Sequence, residues 1–239
     1  MAHARDFGDT VRSGRRRRGN DDSAAIDPQT AALLIIDVTN FDAHPEHRFA
    51  RFAREEEIDL SYYWDRVESP MMPNLGTLLK GFRSARSRVV HVRVGAQFDD
   101  YADSQSHFRD VHRRSGALRG TLEFDVREEL APQLGEAVID KVGASAFTTG
   151  SADVVLRNAG VEQVVVCGVV TNGCVIASAI SAWDLGYEVM VVEDGCAGGD
   201  PEVHSSAINV MRSMGMTIAS TAEVVDQLTR ALEPANALH

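Results

Sequence analysis

Residues 31–37 read AALLIID, a continuous apolar run that ends in an acidic residue, Asp37. A strand that is apolar on both faces is typical of the centre of a parallel sheet, because helices cover both sides of such a sheet. Similar short runs, rich in β-branched residues, recur at residues 89–94, 137–141, 164–169 and 189–194. The first run and its repeats therefore predict a mostly parallel sheet.

Helical patterns separate these runs. Residues 73–87 place four apolar side chains on one helical face, Leu75, Leu78, Leu79 and Phe82. Residues 152–158 and 175–185 show similar spacing over shorter lengths. Strand and helix in alternation predict a three-layer α/β/α open sheet of Rossmann-like type, which we expect to form a single domain over residues 26–239.

Composition excludes several classes of function. The chain has 239 residues, 44% of them hydrophobic, and a net charge of -11, which opposes binding to nucleic acid or to an anionic membrane. No apolar run approaches the roughly 20 residues that cross a bilayer, and the N-terminus lacks the apolar core of a secretory signal. Three cysteines without a CxxC pair make a disulfide scaffold improbable. We expect a cytoplasmic protein with a small-molecule partner.

The first 25 residues differ from the rest of the chain. They hold four consecutive arginines at residues 15–18, several Gly and Asp residues, and almost no apolar periodicity. This composition predicts a flexible, solvated basic arm. Docking of the arginines on an acidic sister subunit or on an RNA is the alternative.

Three reactive residues are expected to meet at one edge of the sheet. Ligands of open parallel sheets bind beyond the carboxyl ends of the strands, where Asp37, Lys141 and Cys174 fall. A helix that begins near Cys174, together with the charge of Lys141, is expected to stabilise a thiolate. Asp37 is expected to take the thiol proton, and the backbone amides of Val170 and Cys174 to stabilise an oxyanion.

Two long segments, residues 41–68 and 95–119, interrupt the alternation and follow strand ends, so we expect them to cover the site. Their aromatic and amide residues are candidates for pocket lining: Phe41, Tyr62, Tyr63, Trp64, Gln97, Phe98 and Tyr101. Of the other two cysteines, Cys167 is expected in the core and Cys196 is expected to serve packing.

Five landmarks in order resemble the isochorismatase-like cysteine hydrolases, over about residues 31–225. This family includes nicotinamidase, N-carbamoylsarcosine amidohydrolase, ureidoacrylate amidohydrolase and biuret hydrolase. The landmarks are LIID at residues 34–37 with Asn40 and Phe41 following, Asp140-Lys141 with SAF at residues 145–147 following, GVVTNGCV at 168–175, AWDLGY at 182–187 and VEDGCA at 192–197.

The resemblance implies an isochorismatase-like fold and a catalytic triad of Asp37, Lys141 and Cys174. It also implies a thioester-linked acyl enzyme, a cis peptide between Val169 and Val170, and a homo-oligomer such as a dimer or tetramer. No cofactor is expected. The predicted function is therefore cleavage of the C–N bond of a small linear amide or ureido (carbamoyl) compound, with release of ammonia or an amine. Candidate substrate-binding residues are Asn40, Phe41, Arg93, Gln97, Phe147 and Asn172.

The chain departs from relatives at the metal site of nicotinamidases, an Asp-x-His followed by a further His. Here Asp42, His44 and His47 follow Asp37 too closely to match, so we interpret them as loop residues and predict no metal. Thr39 stands where many relatives have Gln. Three alternatives stay open: a metal-containing nicotinamidase-like amidase, a non-catalytic member, and a vinyl-ether hydrolase, which the presence of Cys174 disfavours.

Overall fold

The structure, a computed structural model, describes residues 25–232, so the predicted basic arm lies almost wholly outside the described residues. Helices flank one open sheet of six strands, which pair in parallel in the order β3-β2-β1-β4-β5-β6. The strands are β1 Ala31–Ile36, β2 Arg88–Val94, β3 Ala137–Lys141, β4 Gln163–Val169, β5 Glu188–Ala197 and β6 Thr217–Ala219. The predicted α/β architecture is confirmed, and β6 is a strand that the sequence pattern missed.

The helices connect and cover these strands. They are α1 Asn40–Ala43, α2 Arg48–Glu55, α3 Ser61–Arg66, α4 Met72–Ser84, α5 Arg109–Ser115, α6 Ala152–Asn158, α7 Ile176–Asp184, α8 Pro201–Ser213 and α9 Thr221–Leu232. Wide π-type turns, Val67–Met71 and Thr171–Val175, precede α4 and α7, and short 3-10 turns occur at Leu122–Phe124 and Glu128–Leu130. Between residues 25 and 232, no helix is both long and apolar enough to cross a membrane.

Strand β1 lies at the centre of the sheet because its continuous apolar sequence suits burial on both faces. All six of its residues are buried. It pairs with β2 on one side, where Leu34 lies beside Val90, and with β4 on the other, where Ile36 lies beside Gly168. The strand order changes direction between β1 and β4, and ligand sites of open α/β sheets form at such a point.

The backbones of β1 and β4 come unusually close at Gly168. This glycine has a φ of +113°, and a Cβ atom built on it would lie 2.1 Å from the carbonyl oxygen of Ile36. Only glycine combines this backbone conformation with so close an approach. The contact fixes the last residue of β1, which directly precedes Asp37.

The two segments predicted to interrupt the fold contain regular structure. Residues 41–68 hold parts of α1 and of a π-type turn, with α2 and α3 between them, and residues 95–119 hold α5. In α2, Phe49 and Phe52 repeat at helical spacing between arginines. Because charged residues surround these two rings, the apolar face of this helix was not recognised in the sequence.

Candidate active site

Three side chains from distant parts of the chain meet at the carboxyl edge of the sheet. The Nζ atom of Lys141 lies 2.8 Å from Oδ2 of Asp37 and 3.2 Å from Sγ of Cys174. Asp37 and Lys141 are almost completely buried, with side-chain exposures of 1% and 0%. Since a buried charge is tolerated only when it is paired, the ammonium and the carboxylate stabilise each other here.

The backbone around β1 and β3 directs the two charged groups toward the thiol. Asp37 follows β1 in a left-handed conformation, with φ 54°, and its amide donates to the carbonyl oxygen of Val92 at 3.0 Å. Lys141 ends β3, and its Nζ also donates to the carbonyl oxygen of Gly143 at 2.8 Å. The ammonium thus has three fixed partners, which hold it in one position.

Cys174 lies inside the π-type turn Thr171–Val175, two residues before α7 begins at Ile176. The Val169–Val170 peptide that enters this turn is cis. The carbonyl oxygen of Val170 accepts hydrogen bonds from the amides of Gly173 and Val175, at 2.8 and 3.2 Å. The backbone therefore curls around the thiol.

The electrostatics of the thiol differ from the sequence-based expectation. Burial raises the pKa of Cys174, the negative charge of Asp37 raises it further, and the charge of Lys141 lowers it too little to compensate. Burial also raises the pKa of Asp37 against the influence of Lys141. The pKa of Lys141 is raised as well, because Asp37 and Cys174 outweigh the effect of burial. The raised pKa of Cys174 makes a thiol its resting form, and this thiol accepts a hydrogen bond from the Lys141 ammonium, which also pairs with Asp37.

The thiol borders a cavity of about 300 Å³. Its walls are mainly apolar and come from α1, α2, α5 and the strand ends, with Phe41, Phe49, Leu60, Phe108, Val111 and Val170 among them. Its polar side chains are Asp37, Asp42, Tyr63, His112 and Cys174. The cavity is large enough for a small organic molecule.

Of the six candidate substrate-binding residues, Phe41 alone is among the residues that line this cavity. Asn40 is buried and donates from Nδ2 to the carbonyl oxygen of Leu122 at 2.8 Å. Phe147 packs against the ring of Tyr187, with 5.6 Å between ring centroids. Both side chains therefore serve packing around the site.

The other three candidates also lie away from the cavity. Arg93 pairs with Asp140 at 2.8 Å and with Asp125 at 3.5 Å, so its charge is already neutralised. Gln97 is exposed. Oδ1 of Asn172 accepts from the amide of Gly199 at 3.4 Å. The structure provides no contact between these side chains and the space beside Cys174.

Two polar residues that line the cavity, Asp42 and His112, had no place in the predicted site. Asp42 was interpreted as a loop residue, but it lies in α1, a single helical turn that begins when Thr39 Oγ1 accepts from the amide of Asp42 at 3.3 Å. His112 lies on α5, inside a segment predicted to be an irregular loop, and Phe108 precedes it by four residues on the same face. The apolar spacing Phe108-Val111-His112 was the signal that indicates this wall.

The histidines near Asp42 have other contacts. Nδ1 of His47 lies 3.2 Å from Oε2 of Glu123, and the ring of His44 packs against that of His47 at 4.4 Å. Within residues 25–232, no group of three or more His, Cys, Asp or Glu side chains is arranged to hold a metal ion. Cys167 and Cys196 are buried in β4 and β5, as expected, and form no disulfide.

A hydrogen-bonded network supports the turn that carries Cys174. Arg66 donates from NH2 to Nε2 of His204 at 2.9 Å, and Nδ1 of His204 lies 2.9 Å from Oγ1 of Thr171. Because a guanidinium has only donors, Nε2 of His204 is the acceptor, and the ring proton is on Nδ1. His204 thus donates to Thr171, the first residue of the turn.

Comparison with known proteins places the chain in a family. The family model described as the isochorismatase domain matches residues 31–223. A cysteine hydrolase from Pseudomonas syringae pv. phaseolicola 1448A has 21% identity and a TM-score of 0.74, over 90% of this chain and 100% of that one. An isochorismatase family protein from Desulfovibrio vulgaris subsp. vulgaris str. Hildenborough has 29% identity and a TM-score of 0.71, over 84% and 100%.

An N-carbamoylsarcosine amidase from Thermoplasma acidophilum shares the fold, with 23% identity and a TM-score of 0.62 over 80% of this chain and 96% of that one. Below 25% identity such a likeness establishes the fold alone, whereas the family model covers most of the chain. The family predicted from the sequence landmarks is confirmed. The chain belongs to the isochorismatase family of hydrolases, some of whose members are amidases.

Proposed function

We propose that this protein is a cysteine-dependent amidohydrolase that cleaves the C–N bond of a small linear amide or ureido compound. The observation that carries the proposal is the position of the Lys141 ammonium, 2.8 Å from the Asp37 carboxylate and 3.2 Å from the Cys174 sulfur. A thiol, a base and a fixed cation are the groups that nucleophilic attack on a carbonyl needs. The cavity beside the sulfur provides the space for the substrate.

In the first half of the reaction, Cys174 attacks the carbonyl carbon while its proton moves to Asp37. The raised pKa values of both groups favour this timing, since the thiol loses its proton only as the C–S bond forms. Backbone amides of Val170 and Cys174 are proposed to stabilise the oxyanion. Asp37 then gives the proton to the leaving nitrogen, the C–N bond breaks, and a thioester remains.

In the second half, water attacks the thioester and Asp37 takes a proton from it. The C–S bond breaks, the sulfur regains a proton, and the free acid leaves; a ureido substrate gives a carbamate instead. Lys141 is the positioning residue throughout, because it keeps Asp37 and the sulfur adjacent and offsets the negative charge that passes between them.

The test measures ammonia release from a panel of small primary amides and ureido compounds. We expect Cys174→Ala to abolish ammonia release. Cys167→Ala removes a buried thiol that does not line the cavity, so this variant should retain ammonia release. Mass spectrometry after rapid acid quench should find the acyl adduct on the tryptic peptide that contains Cys174.

Two results would contradict the proposal. One is full turnover by Cys174→Ala. The other is hydrolysis of a vinyl ether that needs Asp37 but not Cys174, which would make the thiol a bystander. Assembly into a dimer or tetramer stays a prediction, to be checked by native mass spectrometry.

A further inference from the structure

The cavity beside Cys174 provides no free cation to bind an anionic substrate. None of its lining residues, all from the described part of the chain, is Lys or Arg. The nearby Lys141 already has Asp37, Gly143 and Cys174 as partners. His112 lines the cavity, but burial lowers its pKa to about 4, so the ring is uncharged at neutral pH.

The cavity instead contains a carboxyl group whose binding capacity is unused. Among residues 25–232, the side chain of Asp42 makes no hydrogen bond and no ion pair, although the charge of Lys141 acts on it from a greater distance. Only its backbone is engaged: the amide donates to Thr39, and the carbonyl oxygen accepts from the hydroxyl of Tyr63 at 2.6 Å. A polar side chain that lines a cavity without a protein partner takes its hydrogen bonds from water or from a ligand, because leaving it unpaired is unfavourable.

The environment of Asp42 favours an uncharged partner over a cationic one. Burial raises the pKa of Asp42 well above its usual range and the charge of Asp37 raises it further, while the charge of Lys141 lowers it by less. A carboxyl group with a raised pKa ionises less readily than usual, but its carbonyl oxygen still accepts a hydrogen bond. The apolar side chains of Phe41, Phe49 and Val111 line the same cavity. They would remove water from an ammonium group without replacing the hydrogen bonds that the water makes.

We propose that the cavity selects amides and ureido compounds with an uncharged, apolar body, and that the Asp42 carboxyl accepts a hydrogen bond from an N–H group of that substrate. Carboxylate-bearing ureido acids and amide acids are excluded for lack of a counter-charge. Asp42 is then a specificity-determining residue. The inference rests on the proposed hydrolase function, because it places the scissile amide beside Cys174.

The test compares ligands of matched shape. The first pair is glutaramate, which is anionic, and 5-methylhexanamide, in which an uncharged isopropyl group replaces the carboxylate. The second pair is 3-ureidopropionate and 3-methylbutylurea, which differ by the same replacement. Binding to Cys174→Ala is measured by calorimetry, and ammonia release is measured with wild type. We expect each uncharged ligand to bind on the order of a hundredfold more tightly than its anionic partner, because burying an unpaired carboxylate is strongly unfavourable.

Variants of Asp42 test its own part in binding. In the Cys174→Ala background, Asp42→Ala should weaken binding of the uncharged ligands by roughly 5- to 10-fold, the worth of one hydrogen bond. Asp42→Asn keeps a carbonyl oxygen at the same place, so it should restore most of the affinity. Asp184→Ala removes an exposed carboxylate outside the cavity and is the matched control.

The inference is overturned if an anionic ligand binds as tightly as its uncharged partner, or if a cationic analogue such as 5-aminopentanamide binds more tightly than either. It is also overturned if no ligand binds, or if Asp42→Ala has no effect on binding. Failure of the proposed function is a different result. In that case the uncharged ligands bind to Cys174→Ala with the expected preference, yet wild type releases no ammonia from them.

Discussion

Replacing Gly168 by alanine tests whether the close approach of β1 and β4 holds the candidate base in place. Two effects add. A non-glycine residue in left-handed backbone is destabilising by about 1–2 kcal/mol. The new methyl group would also lie 2.1 Å from the carbonyl oxygen of Ile36 and 2.7 Å from its amide nitrogen, and forcing such a contact apart in a packed interior is destabilising by about 1–3 kcal/mol.

Together the two effects predict a loss of about 4 kcal/mol in the free energy of unfolding, measured by equilibrium urea denaturation. Gly135→Ala separates them. Gly135 has a φ of +93° but no atom within 4 Å of a built Cβ. It should lose only the backbone part, about 1–2 kcal/mol.

The activity of the folded fraction provides a second measurement. The clash displaces Ile36, the residue before Asp37, so Gly168→Ala should lose most of its turnover in conditions where it is still folded, whereas Gly135→Ala should keep it. Equal loss of stability in the two variants would refute the reasoning, since the contact with Ile36 would then contribute nothing.

Three more variants or conditions probe the thiol, the cavity wall and the core. Because burial raises its pKa, Cys174 should react with iodoacetamide at pH 7 more slowly than cysteine in a short peptide, and a rate that levels off below pH 7 would contradict this. The pKa of His112 falls from 6.5 in the unfolded chain to about 4 in the folded one, so its stabilising contribution is complete above pH 6.5 and is lost as the pH falls toward 4. In urea titrations His112→Phe should remove about 3 kcal/mol of that acid-dependent loss of stability. Phe82 is completely buried, so Phe82→Ala should be destabilising by about 3–5 kcal/mol in the same assay, whereas alanine at the exposed Leu134 should change stability by less than about 0.5 kcal/mol.

The fold was largely readable from the sequence because its signals are local. The apolar run of β1 has no polar residue to interrupt it, so its place at the centre of the sheet follows directly. Strand β6 was missed because three residues, TIA, carry too little pattern. Helix α2 was missed for a different reason: its arginines alternate with the aromatic residues, so the sequence reads as polar and its apolar face is not apparent.

The site was readable only in part, because side-chain direction and burial depend on the whole fold. The meeting of Asp37, Lys141 and Cys174 follows from the parallel strands β1, β3 and β4, at or just beyond whose carboxyl ends they lie. The predicted direction of the pKa shift of Cys174 was wrong: a lowered pKa was expected, and the pKa is raised. The sequence indicates a helix start and a cation nearby but not how deeply the thiol is buried. The position of Asp42 beside the cavity depends on one turn of helix that Thr39 begins, and no periodic pattern in the sequence indicates this turn.

The protonated resting state of Cys174 has a consequence for how fast peroxide oxidises this side chain. Peroxide attacks thiolates, and the first product, a sulfenic acid, can proceed to forms that cells do not reduce. A nucleophile that gives up its proton only when a carbonyl carbon is in reach presents little thiolate to such oxidants between turnovers. The raised pKa that makes Cys174 a slow nucleophile at rest should therefore also slow its oxidation between turnovers.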